Sequence, residues 1–513
     1  MAPPNEPTAL PNPLIPGFNP DPSCVLVDGT YYAVTSSFEY LPALPVYRST
    51  DFVTWEHIGN VATRPEQVGL GATPSGAGVW APTLRHHDGR FHVIVNITAG
   101  PRGCVVFTAP DPAGPWDDGV RIDGIDGIDP DLAWDDSGTA YVTYSGLRMS
   151  DTEPWSHDGI LQARVDLATG QVLEQPRLLW SGTGLVAPEG PHLYRRGDHW
   201  YLLIAEGGTE FGHAVSVARG PSIKGPFEGA PGNPLLRAVG TDAPVQRTGH
   251  ADLVRGPDGR DLVVLLGTRT AGAFAPLGRE TFATTVEWSD GWPQLSPVPL
   301  HPRPEPVDEH FDLAEAGALA DPGWLAVGRT PGEVATVDVA AGHLTIRADA
   351  GGLDVFRPDF VGRRQRHLES RFEVRIDPRD GRGGLGLRYD ERFTVALIAE
   401  KSSQAGVVRV TARATMSTIT QSWSAEVSGD TLVLRIETDV PPGPVGTPWS
   451  AGGDRIRLTV VDDTGLQTQL AELDGRYWSV ETAVPFTGRV TGMFAEAGTV
   501  HFTDFRYHGT GGS

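Results

Sequence analysis

The sequence predicts an all-β protein: a five-bladed β-propeller followed by a β-sandwich. Two observations lead to this prediction. A strand–turn–strand unit recurs along the first 300 residues, and strict alternation of apolar and polar residues becomes regular only after them. With 513 residues, the chain is long enough for two or three domains that fold without disulfides.

The repeated unit is first seen at residues 19–23, Asn-Pro-Asp-Pro-Ser. An apolar run (24–26) follows it, then an Asp-Gly turn (28–29) and an aromatic strand (31–34), which is typical of a β-hairpin. Four more copies follow, and the lead residues of the five copies are Asp21, Ala81, Asp129, Glu189 and His250. These positions are 60, 48, 60 and 61 residues apart, which indicates a repeat architecture.

Each unit also carries a later pair of strands, for example at residues 46–48 in the first unit and 283–286 in the last. Four short strands in each of five units predict a five-bladed propeller over residues 12–300. The apolar segment 13–18 is expected to close the ring by pairing with the last blade. Three tryptophans that come late in their units are expected to pack in the outer blades: Trp55, Trp116 and Trp288.

The propeller pattern ends in a Pro-rich stretch, residues 301–308, which is expected to be a stiff linker. Beyond it, apolar and polar residues alternate in several segments, including 432–437 and 455–460. Strands with one dry and one wet face predict a β-sandwich over residues 309–513.

The composition argues against several classes of function. Lys and Arg total 41 against 64 for Asp and Glu, a net charge of −23, which disfavours nucleic acid and anionic membrane surfaces as partners. The chain has no run of about 18 apolar residues and no apolar segment of signal-peptide length at its start, so a cytoplasmic location is expected. Cys24 and Cys104 lie in apolar strands and are interpreted as buried free thiols, with a disulfide as the alternative.

The lead residues are the strongest functional signal. In a propeller they lie at one end of the innermost strands, facing the axis, so Asp21, Asp129 and Glu189 are expected to converge there together with His250. Like charges that are gathered in one place repel one another and destabilise a fold. Their presence at the axis therefore indicates a functional requirement. The alternative is that each acid is structural, because Asp-Pro is a common turn opener and Glu189 precedes a Gly-Pro loop.

Glycoside hydrolysis needs two carboxyl groups, one protonated and one ionised. We assign Glu189 as the acid, because burial and a neighbouring carboxylate would raise its pKa, and Asp21 as the base. A separation of about 6.5–9.5 Å between the two would leave room for a water molecule and lead to inversion. Asp129 is the third member, with Asp131 as the alternative because it lies two residues further along the strand.

Several other residues are candidates for the same site. Phe38 and Trp80 are either ordinary inter-blade packing or a stacking wall for a sugar ring. His250 is a structural histidine, a ligand of water or metal, or a substrate contact. Arg279 either binds a surface carboxylate or holds a sugar hydroxyl among the acids.

The combination of motifs resembles glycoside hydrolase family 43, in particular β-xylosidases and α-L-arabinofuranosidases that carry a C-terminal concanavalin A-like jelly roll. The resemblance covers nearly the whole chain, and the motifs that carry it are found at residues 19–23, 80–82, 128–130, 189–194, 205–209, 249–251 and 276–281. The resemblance implies the roles given above for Asp21, Asp129 and Glu189. It also implies that Phe38, Trp80, Thr209, Arg279 and Phe486 bind substrate.

The same resemblance implies release of terminal β-D-xylose, α-L-arabinofuranose or both from xylan-derived oligosaccharides. It implies no required cofactor, an axial water or Ca²⁺ at His250, and a dimer or tetramer through the sandwich. The chain departs from its relatives in having Pro130 and Asp131 where Ala-Ser is common, which adds an acid near the site, and in residues 41–44 of the subsite wall.

Two other functions compete with this one. The first is a carbohydrate-binding propeller whose acids only hydrogen-bond to sugar. The second is a retaining fructan-type hydrolase, which needs an Arg-Asp-Pro stretch and a Glu-Cys pair that this sequence does not contain.

Overall fold

The structure, a computed structural model, describes residues 10–71, 73–100, 102–148, 155–349, 351–441, 452–483 and 486–511. This part of the chain is almost entirely β. The exceptions are two one-turn helices, α1 (Pro65–Val68) and α2 (Pro331–Val334), and a 3₁₀ helix (Gly475–Tyr477). Among the described residues, no helix has the length and apolar character needed to cross a membrane.

Five antiparallel sheets follow one another along the chain and form the blades of the propeller. Blade 1 contains β1 (Ser23–Val27), β2 (Thr30–Val34), β4 (Ala43–Ser49) and β5 (Glu56–Ala62). The short strand β3 (Tyr40–Leu41) lies between β2 and β4 in the chain but outside the sheet of this blade. Blade 2 contains β6 (Val79–His87), β7 (Arg90–Ile97), β8 (Gly103–Ala109) and β9 (Val120–Arg121). Blade 3 contains β10 (Ile128–Trp134), β11 (Ala140–Arg148), β12 (Ser156–Asp166), β13 (Gln171–Val172) and β14 (Arg177–Trp180).

Blades 4 and 5 repeat the pattern. Blade 4 contains β15 (Glu189–Arg196), β16 (His199–Glu206), β17 (Ala214–Gly220), β18 (Glu228–Gly229) and β19 (Leu236–Arg237). Blade 5 contains β20 (Gln246–Arg255), β21 (Asp261–Thr268), β22 (Glu280–Ser289) and β23 (Trp292–Leu295). The first strand of each blade is the innermost, and β1 packs against both β6 and β20, so the blades close into a ring.

The N-terminal segment closes the ring as the sequence predicts. Ile15 pairs with Thr281 of the last blade, and Asn12 pairs with His301 at the start of the Pro-rich stretch. The side chain of Asn12 also bonds both backbone groups of Ala283. The two ends of the propeller are therefore joined by hydrogen bonds as well as by packing.

The second domain is a sandwich whose layers share two long strands. Its strands are β24 (Val307–Asp312), β25 (Leu325–Val327), β26 (Ala335–Asp338), β27 (His343–Arg347), β28 (Phe360–Arg364), β29 (Glu369–Arg388), β30 (Phe393–Lys401), β31 (Val407–Met416), β32 (Ile419–Ser428), β33 (Leu432–Asp439), β34 (Arg455–Val461), β35 (Gln467–Asp474) and β36 (Val490–Thr510). The first of these begins two residues before the expected boundary at 309.

Strands β29 and β36 pair along their length, with register shifts in the middle. The first half of β29 pairs with β33 and its second half with β30, so each long strand passes from one layer to the other. A core rich in Leu, Val and Phe, which includes Leu385, Leu434 and Phe505, fills the space between the layers. The alternation in the sequence predicted this core, because the apolar positions of β33 and β34 are the buried ones.

The two domains are joined through β3. This short strand leaves blade 1 and pairs with β25, which extends the sandwich sheet into the propeller. A buried ion pair between Glu39 and Arg388, 3.5 Å apart, lies next to this seam. Both cysteines are buried and free, which confirms the interpretation from the sequence. Trp116 is buried in the propeller, and Trp55 and Trp288 are partly buried against it, also as predicted.

Candidate active site

A narrow pocket lies at one end of the propeller axis, with a volume of about 40 Å³. It gathers residues from all five inner strands or the segments that lead into them, and from one loop of the sandwich. The lining residues are Asp21, Phe38, Trp80, Ala81, Ile128, Asp129, Glu189, Thr209, His250, Arg279 and Phe486. Apart from the alternative Asp131, every candidate site residue named from the sequence is therefore in one place.

A repeated backbone irregularity brings these side chains to the axis. The inner strands of blades 2 to 5 each carry a register shift at the lead position. Asp21, Ala81, Asp129 and His250 have positive φ angles of 55°, 38°, 54° and 51°. Such angles are unfavourable for residues other than glycine and are typical of bulges that redirect a side chain beside a functional site.

Blade 4 differs from the others by one residue. There the positive φ angle, 54°, belongs to Gly190, so Gly190 and not Glu189 is the structural equivalent of Asp21 and Asp129. A Cβ atom on Gly190 would lie 2.9 Å from the imidazole ring of His250, so only glycine fits. The alignment that made Glu189 a lead residue was therefore wrong by one position, although Glu189 does line the pocket.

Asp21 is held in an environment that favours its ionised form. Burial alone would raise the pKa of Asp21, but Arg279 and other polar neighbours lower it overall. Arg279 Nη1 lies 3.3 Å from Asp21 Oδ1, and the hydroxyl of Ser36 donates a hydrogen bond of 2.5 Å to Asp21 Oδ2. Asp21 is therefore a carboxylate at neutral pH.

Glu189 and Asp129 are in the opposite situation. Burial, together with the charge of Asp21, raises the pKa of Glu189 to about 7. Burial and the charges of Glu189 and Asp21 also raise the pKa of Asp129. The charges of these carboxyl groups act on one another across the pocket. At neutral pH these groups retain a proton that an isolated pair of carboxylates would lose.

Asp129 also fixes the backbone beside Glu189. Its Oδ2 accepts a hydrogen bond of 3.0 Å from the N–H of Gly190. On the other side of Glu189, His213 Nδ1 lies 3.9 Å from Oε1. That nitrogen also lies 3.0 Å from the carbonyl oxygen of Gly208, a contact in which it donates. Burial lowers the pKa of His213 to about 3, so this histidine is neutral.

Arg279 connects the acids to the aromatic wall. Its Nη1 donates to Thr209 Oγ1 at 2.7 Å, and its Nη2 donates to the carbonyl oxygen of Phe486 at 3.2 Å. The guanidinium lies 5.7 Å from the ring centre of Phe38 and 5.4 Å from that of Phe486. Arg279 is thus a pocket residue and not the partner of a surface carboxylate.

The sequence left open whether Phe38 and Trp80 are packing residues or part of the wall of the site, and the structure shows features of both. Phe38 is almost completely buried and belongs to an apolar cluster with residues of the sandwich, yet it also lines the pocket. Trp80 lies 5.1 Å from Phe486, and its indole N–H donates to Gly76. Phe486 is therefore the sandwich residue that completes the propeller site.

Asp131 does not belong to this pocket. Its side chain is completely buried, pairs with Arg85 at 2.6 Å and accepts a hydrogen bond from the N–H of Leu193. The bulge between Ile128 and Asp131 breaks the simple two-residue alternation on which the alternative assignment depended. The extra acid is therefore part of a deeper network and leaves the pocket unchanged.

The sequence resemblance implies a water molecule or Ca²⁺ at His250, and the side chains around this histidine bear on that expectation. Burial lowers the pKa of His250 to about 4, so the neutral ring could ligate a metal. Its nearest acid, Asp21, lies 3.8 Å away and is already bonded to Arg279 and Ser36. Within the described part of the chain, no three His, Cys, Asp or Glu side chains are placed to hold a metal ion. The axial water or Ca²⁺ expected at His250 therefore stays a prediction.

The sequence interpretation missed Ser36 and His213. Both lie in loops and carry no repeat signal, so their proximity to Asp21 and Glu189 follows only from the folded blades. One signal was present for His213. Gly249 precedes a lead residue, and a Cβ there would lie 1.9 Å from the imidazole ring of His213. A glycine at that position indicates a close neighbour without identifying it.

A five-bladed propeller with three carboxyl groups and an arginine in an axial pocket, closed by a loop of a second domain, is the architecture of a glycoside hydrolase. Comparison with known proteins gives the family. Residues 10–293 match the family described as Glycosyl hydrolases family 43, and residues 316–508 match the Beta xylosidase C-terminal Concanavalin A-like domain. The chain belongs to glycosyl hydrolase family 43, and it acts on a carbohydrate substrate.

Named relatives are similar over most of their length. The chain is 37% identical to the non-reducing end alpha-L-arabinofuranosidase BoGH43B of Bacteroides ovatus, over 77% of this chain and 76% of that one. It is 33% identical to the xylosidase/arabinosidase 43B of Humicola insolens, over 77% of each chain. The crystal structure of a xylan beta-1,4-xylosidase from Bacillus halodurans C-125 superposes with a TM-score of 0.84 at 26% identity, covering 97% of this chain and 100% of that one.

Proposed function

We propose that this glycosidase removes terminal β-D-xylose, α-L-arabinofuranose or both from xylo- and arabinoxylo-oligosaccharides, with inversion at the anomeric carbon. Glu189 is the general acid, Asp21 the general base, and Asp129 the group that positions Glu189 and modulates its pKa. The observation that carries this proposal is the opposite direction of two pKa shifts in one pocket. The pKa of Glu189 is raised to about 7, while that of Asp21 is lowered.

The reaction follows from this division of protons. Glu189 donates its proton to the glycosidic oxygen while the bond from the anomeric carbon to that oxygen breaks. Asp21 accepts a proton from a water molecule whose oxygen bonds to the anomeric carbon from the opposite face. At the end of the cycle Glu189 is ionised and Asp21 is protonated, and exchange with solvent restores the starting state.

Other pocket residues bind the sugar. Arg279 is fixed by Thr209 and by the carbonyl oxygen of Phe486, so its remaining donor capacity is directed at substrate hydroxyls without loss of side-chain entropy. Phe38, Trp80 and Phe486 form the apolar wall against which a sugar ring packs. Xylose and arabinofuranose present similar hydroxyl groups near the scissile bond, and the relatives described above are named for both activities.

The first experiment tests the acid. The Glu189→Gln variant is expected to hydrolyse xylobiose about 10²- to 10⁴-fold more slowly, because the amide cannot protonate the leaving oxygen. It should still bind xylose, which isothermal titration calorimetry can measure. Glu426→Gln, an exposed glutamate of the sandwich, is the control and should match the wild type. Unchanged turnover in Glu189→Gln would favour a binding-only propeller and contradict the assignment.

The second experiment measures stereochemistry and sugar preference together. Aryl β-D-xyloside and aryl α-L-arabinofuranoside are hydrolysed in parallel, and the first-formed anomer is followed by ¹H NMR. The proposal predicts α-xylose from the β-xyloside, because water attacks from the face opposite the leaving group. First-formed β-xylose would rule out inversion.

The pH profile of kcat/KM is expected to be bell-shaped. The alkaline side should fall with a midpoint near pH 7, because the raised pKa of Glu189 is the point at which the acid loses its proton. The acidic side should lie below the usual range of an aspartate, because the pKa of Asp21 is lowered. In Glu189→Gln the midpoint near pH 7 should disappear from the residual activity, and its persistence there would show that another group is the acid.

A further inference from the structure

A second cavity, with a volume of about 440 Å³, lies between the propeller and the sandwich. This volume is within the range of about 300–1,000 Å³ that is usual for ligand sites, which often lie between domains. The propeller side contributes Leu14, Tyr47, Thr54 and Trp55. The sandwich side contributes three arginines, Arg363, Arg364 and Arg366. None of its lining residues lines the catalytic pocket.

The cavity carries more positive than negative charge. Its lining includes four guanidinium groups, those of Arg303, Arg363, Arg364 and Arg366, and two acids, Glu309 and Asp321. In addition, burial and the charge of Arg364 lower the pKa of His57 to about 4, so this histidine is neutral. In a chain with a net charge of −23, a buried surplus of positive charge is a local and specific feature.

The two acids are already engaged. Arg363 pairs with Asp321 at 2.7 Å, and Arg366 pairs with Glu309 at 2.7 Å. Arg303 has a structural role, because it donates to the backbone carbonyl oxygens of Pro13, Leu14 and Val53. Arg364 remains, and no carboxylate of the described residues lies within ion-pair distance of it.

Arg364 is buried, with 7% of its surface exposed. Its Nε donates to the carbonyl oxygen of Phe18 at 2.9 Å, and its guanidinium lies 4.5 Å from the ring centre of Phe18. Its Nη2 atom is buried without a hydrogen-bond partner among the described residues. Burial lowers the pKa of Arg364, and no acid compensates for it. A buried guanidinium without a counter-ion is costly, whereas a planar oxyanion would satisfy its two outer nitrogens.

We propose that this interdomain cavity binds a small organic oxyanion, a sugar that carries a carboxylate or a phosphate group. Arg364 pairs with the oxyanion, and Trp55 and Tyr47 pack against the ring. The cavity is too large for a single inorganic ion, and its half-buried indole is suited to the apolar face of a sugar. This site is separate from the catalytic one, so the proposal does not depend on the reaction assigned above.

Calorimetric titration of the full-length protein tests the proposal. The probes are D-glucuronate, D-glucose 6-phosphate and inorganic phosphate, with neutral D-glucose as the control, all at one ionic strength set with chloride. Saturable binding of at least one anionic sugar, with no comparable binding of D-glucose, is the expected result. Binding of D-glucuronate only identifies a carboxylate ligand, and binding of D-glucose 6-phosphate only identifies a phosphorylated one.

Two substitutions locate the binding. Arg364→Gln should weaken it about tenfold or more, because a hydrogen-bonded charge is lost. If that variant folds poorly, Thr54→Glu provides an independent test, because it leaves Arg364 intact and adds a negative charge at an exposed lining position. Thr54→Gln is its uncharged control, and Arg409→Gln, on an exposed sandwich hairpin, controls for loss of one arginine.

Three results would overturn the proposal. The first is the absence of saturable binding of either anionic sugar to the wild type. The second is binding of inorganic phosphate alone, which would exclude an organic ligand. The third is equal binding by the wild type, Arg364→Gln and Thr54→Glu. Because Glu189→Gln should leave this binding unchanged, failure of the anion site and failure of the catalytic assignment are distinguishable.

Discussion

Two clusters of acidic side chains lie along the axis of the propeller, and they differ in how fully arginine neutralises their negative charge. The catalytic pocket holds Asp21, Asp129 and Glu189 with one arginine, Arg279. Below it, Asp131 and Asp252, both completely buried, share another arginine, the largely buried Arg85. Both clusters use the inner strands, and the buried aspartates each lie two residues after a lead position. The difference therefore results from the neighbours and not from the fold.

In the deeper network every charge has a partner. Arg85 lies 2.6 Å from Asp131 and 3.1 Å from Asp252, and Asp252 also accepts hydrogen bonds from Ser23 and Tyr194. Burial alone would raise the pKa of Asp252, but Arg85 and these donors lower it to about 2. Of the three pocket acids, Arg279 forms an ion pair with Asp21, and the other two acids keep raised pKa values. Incomplete neutralisation is what gives the pocket an acid that holds its proton.

The largest expected effect comes from breaking the deeper network. Arg85→Met should lower the free energy of unfolding by about 3–5 kcal/mol at pH 7, because it leaves two buried carboxylates without a counter-ion. The midpoint of guanidinium denaturation measures this loss. The deficit should shrink at low pH, where the aspartates can take up protons.

Arg409→Met is the matched control. It removes an arginine from an exposed pair with Glu426, and the expected change is below about 1 kcal/mol. If Arg85→Met were no more destabilising than this control, the network would not be a structural element.

The sequence predicted the five blades, the sandwich and the three acids, because repeats and alternation record them directly. The spacing of lead residues placed Asp21 and Asp129 correctly and Glu189 within one residue. It could not reveal that Gly190 has the equivalent backbone position, because a bulge changes φ angles and not composition. The sequence also could not predict the pairing of Asp131 with Arg85, because the two residues belong to different blades and are 46 positions apart in the chain.

A smaller effect is expected from the pocket. The folded-state pKa of Glu189, about 7, is above the ordinary value of 4.5, so the folded protein binds a proton that the unfolded chain releases between these pH values. The contribution of Glu189 to stability therefore falls as pH rises from 4.5 to 7. Glu189→Gln should raise the free energy of unfolding by about 1–3 kcal/mol at pH 8 and change it little at pH 4.

Thermal unfolding at the two pH values tests this prediction, with Glu426→Gln as the control. An equal gain at pH 4 and pH 8 would show that the effect is not electrostatic. A lower stability of Glu189→Gln than of the wild type at pH 8 would show that the ionised Glu189 side chain stabilises the folded protein.

The smallest expected effect concerns Ser36. Its hydroxyl donates to Asp21 and accepts from the N–H of Ala81, so Ser36→Ala should raise the pKa of Asp21 and move the acidic side of the kcat/KM profile upward by less than about one pH unit. Ser37→Ala is the control, because the Ser37 hydroxyl accepts a hydrogen bond from Leu44. An unchanged acidic side in Ser36→Ala would show that the Ser36 hydroxyl does not contribute to the lowered pKa of Asp21.

The seam at β3 has a consequence for how this enzyme can be modified. The propeller holds the acids, but Phe486, whose carbonyl oxygen fixes Arg279, belongs to the other domain, and β3 is hydrogen-bonded into that domain's sheet. Deleting the sandwich would therefore remove Phe486 from the lining of the pocket. Exchanging it for the sandwich of a relative is a route to altered sugar selectivity that keeps Asp21, Asp129 and Glu189 unchanged.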